Sequence, residues 1–134
     1  MPTTTIPESH RDLLEADVAT LATNGPDGRP QVTALWFVAD DDGTVHLSLN
    51  TARQKTENLR TDPAASFFVL DRENPLRYLE IRADAEVQPD DGRRLAKRVE
   101  AKYDADFSQM DAPGDERVAV TLHTRKVHAV DLSG

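Results

Sequence analysis

The 134-residue chain has no cysteine, which removes disulfides, Cys-ligated zinc, iron–sulfur clusters and thiol nucleophiles. That absence suits a reducing cytoplasm. Glycine is sparse: six residues, scattered at turns, from which neither a G-x-G-x-x-G fingerprint nor a Walker loop can be drawn. No apolar run approaches the roughly 18 residues a membrane span needs. The first residues, broken by Pro2 and Pro7, carry no signal-peptide pattern. Positive charge is scarce as well, with 16 Lys and Arg against 24 Asp and Glu and a net charge of −8. An acidic chain of this kind is not built for nucleic acid or an anionic membrane. A soluble cytoplasmic domain, one unit over 1–134, is the expectation.

Catalytic motifs are equally scarce. His10, His46, His123 and His128 form no H-x-x-x-H or H-E-x-x-H pattern, so they read as surface or rim histidines and no metal site is expected. The serines lack the glycine frame of a nucleophile elbow. The acidic runs Asp40–Asp42 and Asp90–Asp91 read as a solvated hairpin tip and an acidic helix start.

What is present is a series of short strands. "PESHRDLLEAD" (7–17) reads as a short helix with Leu13 and Leu14 turned inward. The turn sequences "NGPDG" (24–28) and "DDDG" (40–43) separate strands over 18–23, 30–39 and 44–50. A helix over about 52–61 and an apolar strand over 64–71 follow. Residues 78–87, "YLEIRADAEV", then alternate without a fault, Leu79, Ile81, Ala83, Ala85 and Val87 facing one way. Helical spacing returns over 89–104, with Leu95, Val99 and Tyr103 on one face and basic residues outside. Residues 117–132 read as two closing strands broken near Thr124. Many antiparallel strands with helices only at connections imply a small barrel, mainly β, of six or seven strands.

One local feature resists a purely structural reading. In "NTARQKTENLRTDP" (50–63), Thr51 and Gln54 have capping-box spacing, which starts a helix near Ala52, and Asp62-Pro63 ends it. Arg53 and Lys55 then fall at the positive end of the helix dipole, where a cation costs about 0.3–1 kcal/mol. Two solvated side chains would explain them cheaply. A phosphate seat would also explain them: first-turn N–H groups, the hydroxyl of Thr51 or Thr56 and two cations converge on one anion. Upstream, "QVTALWF" supplies Trp36, of the kind that flanks a planar ring, and Phe37, which reads as core.

The segments "DGRPQVTALWF", "DDGTVHLSLNTARQKTENLRTDPAASFFV" and "RYLEIRADAEV" together resemble the pyridoxamine-5′-phosphate-oxidase-like split β-barrel superfamily, from about Leu13 to Leu132. The resemblance is strongest to its deazaflavin branch, the coenzyme F420-dependent reductases. It implies a homodimeric split barrel with the coenzyme between subunits and hydride transfer to an unsaturated small-molecule substrate. Lys55 matches the lysine that meets the coenzyme phosphate, and Arg53 its arginine companion. Asn50 and Thr51 occupy the corner beneath that phosphate. Gln31, Val32, Thr33, Ala34 and Leu35, with Trp36, match the strand bordering the ring, and Asn58 matches a contact to the phosphate or tail. The oxidase branch carries an Arg-x-x-x-x-Lys pair for the FMN phosphate; here those positions are Thr33 and Val38. The oxidase Ser-Arg-Lys is Arg53-Gln54-Lys55. These departures favour F420, with its internal phosphodiester, over FMN. FMN in the same groove and a non-catalytic coenzyme carrier on the same fold are the alternatives.

Overall fold

The computed structural model describes residues 4–133. Seven strands form one curled antiparallel sheet: β1 (Ala19–Asn24), β2 (Pro30–Leu35), β3 (Val38–Ala39), β4 (Val45–Asn50), β5 (Ala64–Leu70), β6 (Arg77–Pro89) and β7 (Arg117–Asp131). Helices α1 (Gln54–Thr61) and α2 (Arg94–Tyr103) lie in connections, and a 3-10 helix over Glu8–Glu15 precedes the sheet. No helix among the described residues is long and apolar enough to cross a membrane.

Strand order is β2-β1-β5-β6-β7-β4-β3. The two edges, β2 and β3, are neighbours in sequence, separated only by Trp36 and Phe37. The sheet therefore curls until its edges meet, and it closes through the covalent chain instead of a ladder. This is a split barrel. β3 pairs only with Val45 and His46 of β4. One flank of β4 from Leu47 to Asn50, and the outer flank of β2, consequently have no strand partner.

Period-two alternation fills the barrel. Leu21, Phe37, Leu47, Phe67, Val69, Leu79, Ile81, Val120 and Leu122 are all essentially inaccessible. The Phe37 and Phe67 rings meet edge-to-face at 4.9 Å, worth about 0.5–1.5 kcal/mol beyond their burial. Tight turns complete the hairpins where sequence placed them, with Gly28 and Gly43 at φ of 79° and 89°, a region that suits glycine.

The strand expected over 30–39 breaks at Trp36-Phe37, because there the chain passes from one edge of the sheet to the other. Helix α2 replaces the missing ladder. The Tyr103 hydroxyl accepts from the Phe37 N–H at 3.1 Å and donates to its carbonyl at 3.2 Å. Lys102 Nζ donates to the same carbonyl at 2.8 Å and to Ala16 O at 2.9 Å. Both polar groups of a nearly inaccessible residue are thereby satisfied.

Four further expectations are revised. The two strands expected over 117–132 are one, Arg117–Asp131, and the break near Thr124 is a bulge. The register passes from Arg82↔Lys126 to Ala83↔Thr124, so the extra residue Arg125 absorbs the kink without ending the ladder. The 7–17 helix is a 3-10 helix over Glu8–Glu15, still burying Leu13 and Leu14. Helix α2 starts at Arg94 instead of 89, since Gly92 and Arg93 are left-handed and Asp90 caps from a distance, accepting from Leu95 N and Ala96 N at 3.0 and 2.9 Å. Finally, His10 is buried, not rim. Its ring nitrogens meet Ser9 Oγ at 2.8 Å and Val130 O at 3.0 Å, which lets an imidazole tie the 3-10 helix to β7.

Candidate functional site

The helix at the 50–63 corner starts differently from the capping-box reading. Thr51 makes no cap, because its N–H still belongs to the strand and donates to Glu116 O at 2.9 Å. Asn50 takes the role instead. Its side-chain carbonyl accepts from Ala52 N at 2.8 Å, and its backbone carbonyl accepts from Arg53 N and from Thr56 Oγ1 at 2.8 Å. The chain is folded tightly under Asn50, and α1 begins at Gln54, two residues later than its sequence suggests. The N–H groups of Gln54 and Lys55 have no acceptor among the described residues.

This corner opens onto a groove of about 410 Å³. One wall is the unpaired flank of β2, Thr33 to Leu35, with Trp36; the facing wall is the unpaired flank of β4, Ser48 to Asn50. Arg53 and Lys55 stand at one end, and Phe107, Met110 and Arg117 come from the loop after α2 and the start of β7. Trp36 is held as a wall by stacking on Tyr103, ring centroids 4.4 Å apart and 7° from parallel, with Phe107 at 6.2 Å. A slot between two strand edges backed by aromatic rings suits a flat heterocycle.

Two buried hydroxyl oxygens in this slot, Thr33 Oγ1 and Ser48 Oγ, lack any hydrogen-bond partner. Ser48 is only 8% exposed, and leaving such a group unpaired costs about 1–3 kcal/mol. One lies on each wall, and neither is exposed to solvent.

The electrostatics of the corner are one-sided. No ion pair among the described residues involves Arg53 or Lys55. Burial pushes the half-buried Lys55 ammonium below its usual range, and the charges of Arg53 and Arg117 push it further the same way. A cation surrounded by cations and partly removed from water is relieved by an anion. Arg117 is treated differently. Its guanidinium forks onto Asp111 with two 2.7 Å bonds, donates to Ser48 O at 3.0 Å and lies 3.5 Å from the Phe107 ring centroid. Hydrogen bonds from Arg117 in turn hold the Asp111 carboxyl below the usual carboxylate range, against its burial, with help from the Asn50 amide and the charges of Arg117 and Arg53. Asn50 Nδ2 donates to Asp111 at 3.2 Å and to Asp115 at 2.9 Å, fastening the 107–117 loop to the corner.

Of the residues singled out from sequence, Thr33, Ala34, Leu35, Trp36, Asn50, Arg53 and Lys55 line this groove. Gln31 and Asn58 do not. Asn58 is buried and its amide donates to Gln31 at 2.8 Å and Thr23 at 3.0 Å while accepting from Gln54, which ties α1 to β1 and β2. Val32 points to the outer sheet face, 67% exposed, and Thr51 is on the β4–β7 rim. Sequence reasoning missed Ser48, Leu49, Phe107, Met110 and Arg117. Phe107, a lone aromatic in the polar stretch "DADFSQM", was the one visible signal. Arg117 enters only because β7 pairs with β4 in the register Asn50↔Arg117.

The chain belongs to the pyridoxamine 5′-phosphate oxidase family, whose family model matches residues 6–131. Among solved structures it is similar to an F420 reductase, with 34% identity, 92% of this chain and 98% of that chain covered, and a TM-score of 0.79. It is also similar to a conserved hypothetical protein of Mycobacterium tuberculosis (28% identity, 96% and 88% covered, TM-score 0.76). A third is a candidate pyridoxamine 5′-phosphate oxidase of Lactobacillus delbrueckii (25% identity, 96% and 100% covered, TM-score 0.72). No curated protein matches. Together the family and these neighbours define a flavin- or deazaflavin-binding type of fold.

Proposed function

We propose that this chain is a cytoplasmic, homodimeric oxidoreductase that uses coenzyme F420 to reduce an unsaturated small molecule. The observation that carries the reading is the pair Arg53 and Lys55, without a carboxylate partner, at the head of α1 and the end of a slot containing two unpaired hydroxyls. Likeness to an F420 reductase over nearly the whole chain supports it. Arg53, Lys55 and the N–H groups of Gln54 and Lys55 would hold the coenzyme phosphate. Thr33, Ser48 and the open flanks of β2 and β4 would border the ring, with Trp36 as its wall. When bound, the reduced deazaflavin supplies hydride. The chain's own part is to orient the ring, exclude water from the slot and offset negative charge. The proton of the reduction would come from solvent at the mouth of the slot or from the coenzyme's own hydroxyl, and no side chain is assigned that step.

A second copy of the chain would close the groove. The outer face of the sheet supports this, because register places Ala34 beside Thr20 and Phe68, and Val32 beside Ala22 and Ser66. Val32, Leu70 and Val18 on that face are 67%, 41% and 38% exposed, and an apolar stretch of this extent signals a partner. FMN is the second reading, favoured by the oxidase description of the family model.

Trp36 is the chain's only tryptophan and lines the groove, so its fluorescence reports occupancy. Titration with F420 is expected to quench it at lower concentration than titration with FMN. Tighter binding of FMN, or no quenching by either, overturns the assignment. Light scattering tests the dimer, and loss of reduced F420 absorbance with enone or quinone acceptors separates a reductase from a carrier.

A further inference from the structure

We propose that Asp111 is a specificity-determining residue that matches the anion seat to a singly charged phosphodiester and against a doubly charged phosphomonoester. This rests on the coenzyme reading above and deepens it.

Three cations converge on the seat, but they are not equivalent. Arg53 and Lys55 have no carboxylate partner, whereas Arg117 gives two of its N–H bonds to Asp111 and a third to Ser48 O. Phe107 covers the guanidinium at 3.5 Å. Arg117 lines the groove; Asp111 stands behind it, in the wall of a separate hollow of about 780 Å³ that shares Phe107 and Arg117. Asp111 therefore does not touch a ligand in the groove. It takes back one unit of the positive charge that Arg117 brings there, and it holds the guanidinium in place with two bonds. A ligand with two negative charges gains twice as much from each cation as a ligand with one. Cancelling one cation accordingly handicaps the dianion more. The device is also geometric: with Nε and Nη2 on Asp111 and Nη1 on Ser48 O, only one hydrogen on each Nη is left for a phosphate.

The charged groups lining the seat are Arg53, Lys55 and Arg117, with Asp111 behind Arg117; among the described residues no histidine lines the groove. The pH dependence of binding near neutrality therefore reports the ligand's own ionisation. A phosphomonoester takes its second charge at a pH of about 6, while a diester stays singly charged.

The test uses Asp111→Asn in the full-length chain, with F420, FMN and riboflavin as probes and Trp36 fluorescence as readout. Riboflavin shares the FMN ring without the phosphate and reports any loosening of the slot. Relative to riboflavin, FMN binding to Asp111→Asn is expected to tighten about fivefold or more, with a smaller factor for F420. Asp115→Asn also touches Asn50 but not Arg117, and is expected to leave the FMN-to-F420 ratio within about twofold. Equal changes for FMN and F420 in Asp111→Asn overturn the inference while leaving the coenzyme reading intact. Failure of both coenzymes to bind the parent overturns the coenzyme reading and the inference with it. Should Asp111→Asn not fold, the parent decides alone. Its affinity for FMN is expected to rise less than about tenfold between roughly pH 5.5 and 7.5, because only Arg53 and Lys55 reward the second charge. A gain of tenfold or more over that range shows that the seat already welcomes the dianion, and the inference fails.

Discussion

Arg77 and Lys55 are both cations partly withdrawn from water, and the protein treats them in opposite ways. Arg77 donates to Asp12, to Asp71 at 3.0 Å and to the carbonyl of Ser9, so that the 3-10 helix, the β5–β6 turn and β6 are locked together. Its positive charge is strengthened by those carboxylates, Asp12 first and Asp71 second. Lys55 meets no acid among the described residues, and its charge is opposed by burial, Arg53 and Arg117. Arg77 is satisfied by the chain itself, whereas Lys55 combines partial burial with two cationic neighbours. The same contrast sets Arg117, which is bonded to Asp111, against Arg53, whose charge reaches Asp111 without pairing with it.

This contrast can be broken by substitution, and the largest expected effect is on binding. Lys55→Ala is expected to weaken F420 binding by tenfold or more, equivalent to about 1.5–3 kcal/mol for a charged bond to phosphate. The melting temperature should stay the same or rise. Loss of folding with unchanged affinity in the folded fraction would reverse the assignment of roles.

Arg77→Gln is the mirror experiment. It should cost about 1–2 kcal/mol of stability, because Asp12 and Asp71 lose their shared partner, and F420 affinity measured by Trp36 quenching should not move. Comparable to this in size is Tyr103→Phe, which removes the hydroxyl bridging both polar groups of Phe37. About 1–2 kcal/mol is expected from denaturant unfolding, together with altered Trp36 emission, since the ring it stacks on is no longer anchored.

The smallest effect is the pH linkage of Lys55. Its folded pKa lies below the ordinary 10.5, so the unfolded chain binds the proton more tightly. The resulting penalty is fully present below the folded pKa and is relieved as pH climbs toward 10.5. Parent protein without ligand should therefore gain stability relative to Lys55→Met as pH rises from neutral toward 10.5, and saturating F420 should abolish the difference. A parent that instead loses ground in this range would mean Lys55 is paired.

Much of this molecule is legible along the chain. The faultless alternation over 78–87 is β6, because one side of a strand against a core imposes period two whatever its partners are. Turn glycines at 28 and 43 mark their hairpins for the same local reason. The cation puzzle at Arg53 and Lys55 was visible too, since a helix dipole is a property of the segment itself. The capping box was not: Thr51 has the right spacing, but its N–H is claimed by Glu116 across the β4–β7 ladder, so Asn50 caps in its place. His10 likewise reads as a surface residue until Val130, 120 residues away, supplies its acceptor.

The sequence by itself determined which residues alternate, where the chain turns and that two cations stand at an unfavourable helix end, because each of these depends on neighbours a few positions away. Only the tertiary structure decided that β2 and β4 face each other across an unclosed seam, that Thr33 and Ser48 are left unpaired there, and that Asp111 takes Arg117 but not Arg53. Those outcomes depend on the register of β7 against β4 and on how far the sheet curls. Pairings between distant strands set both, and no local pattern encodes them.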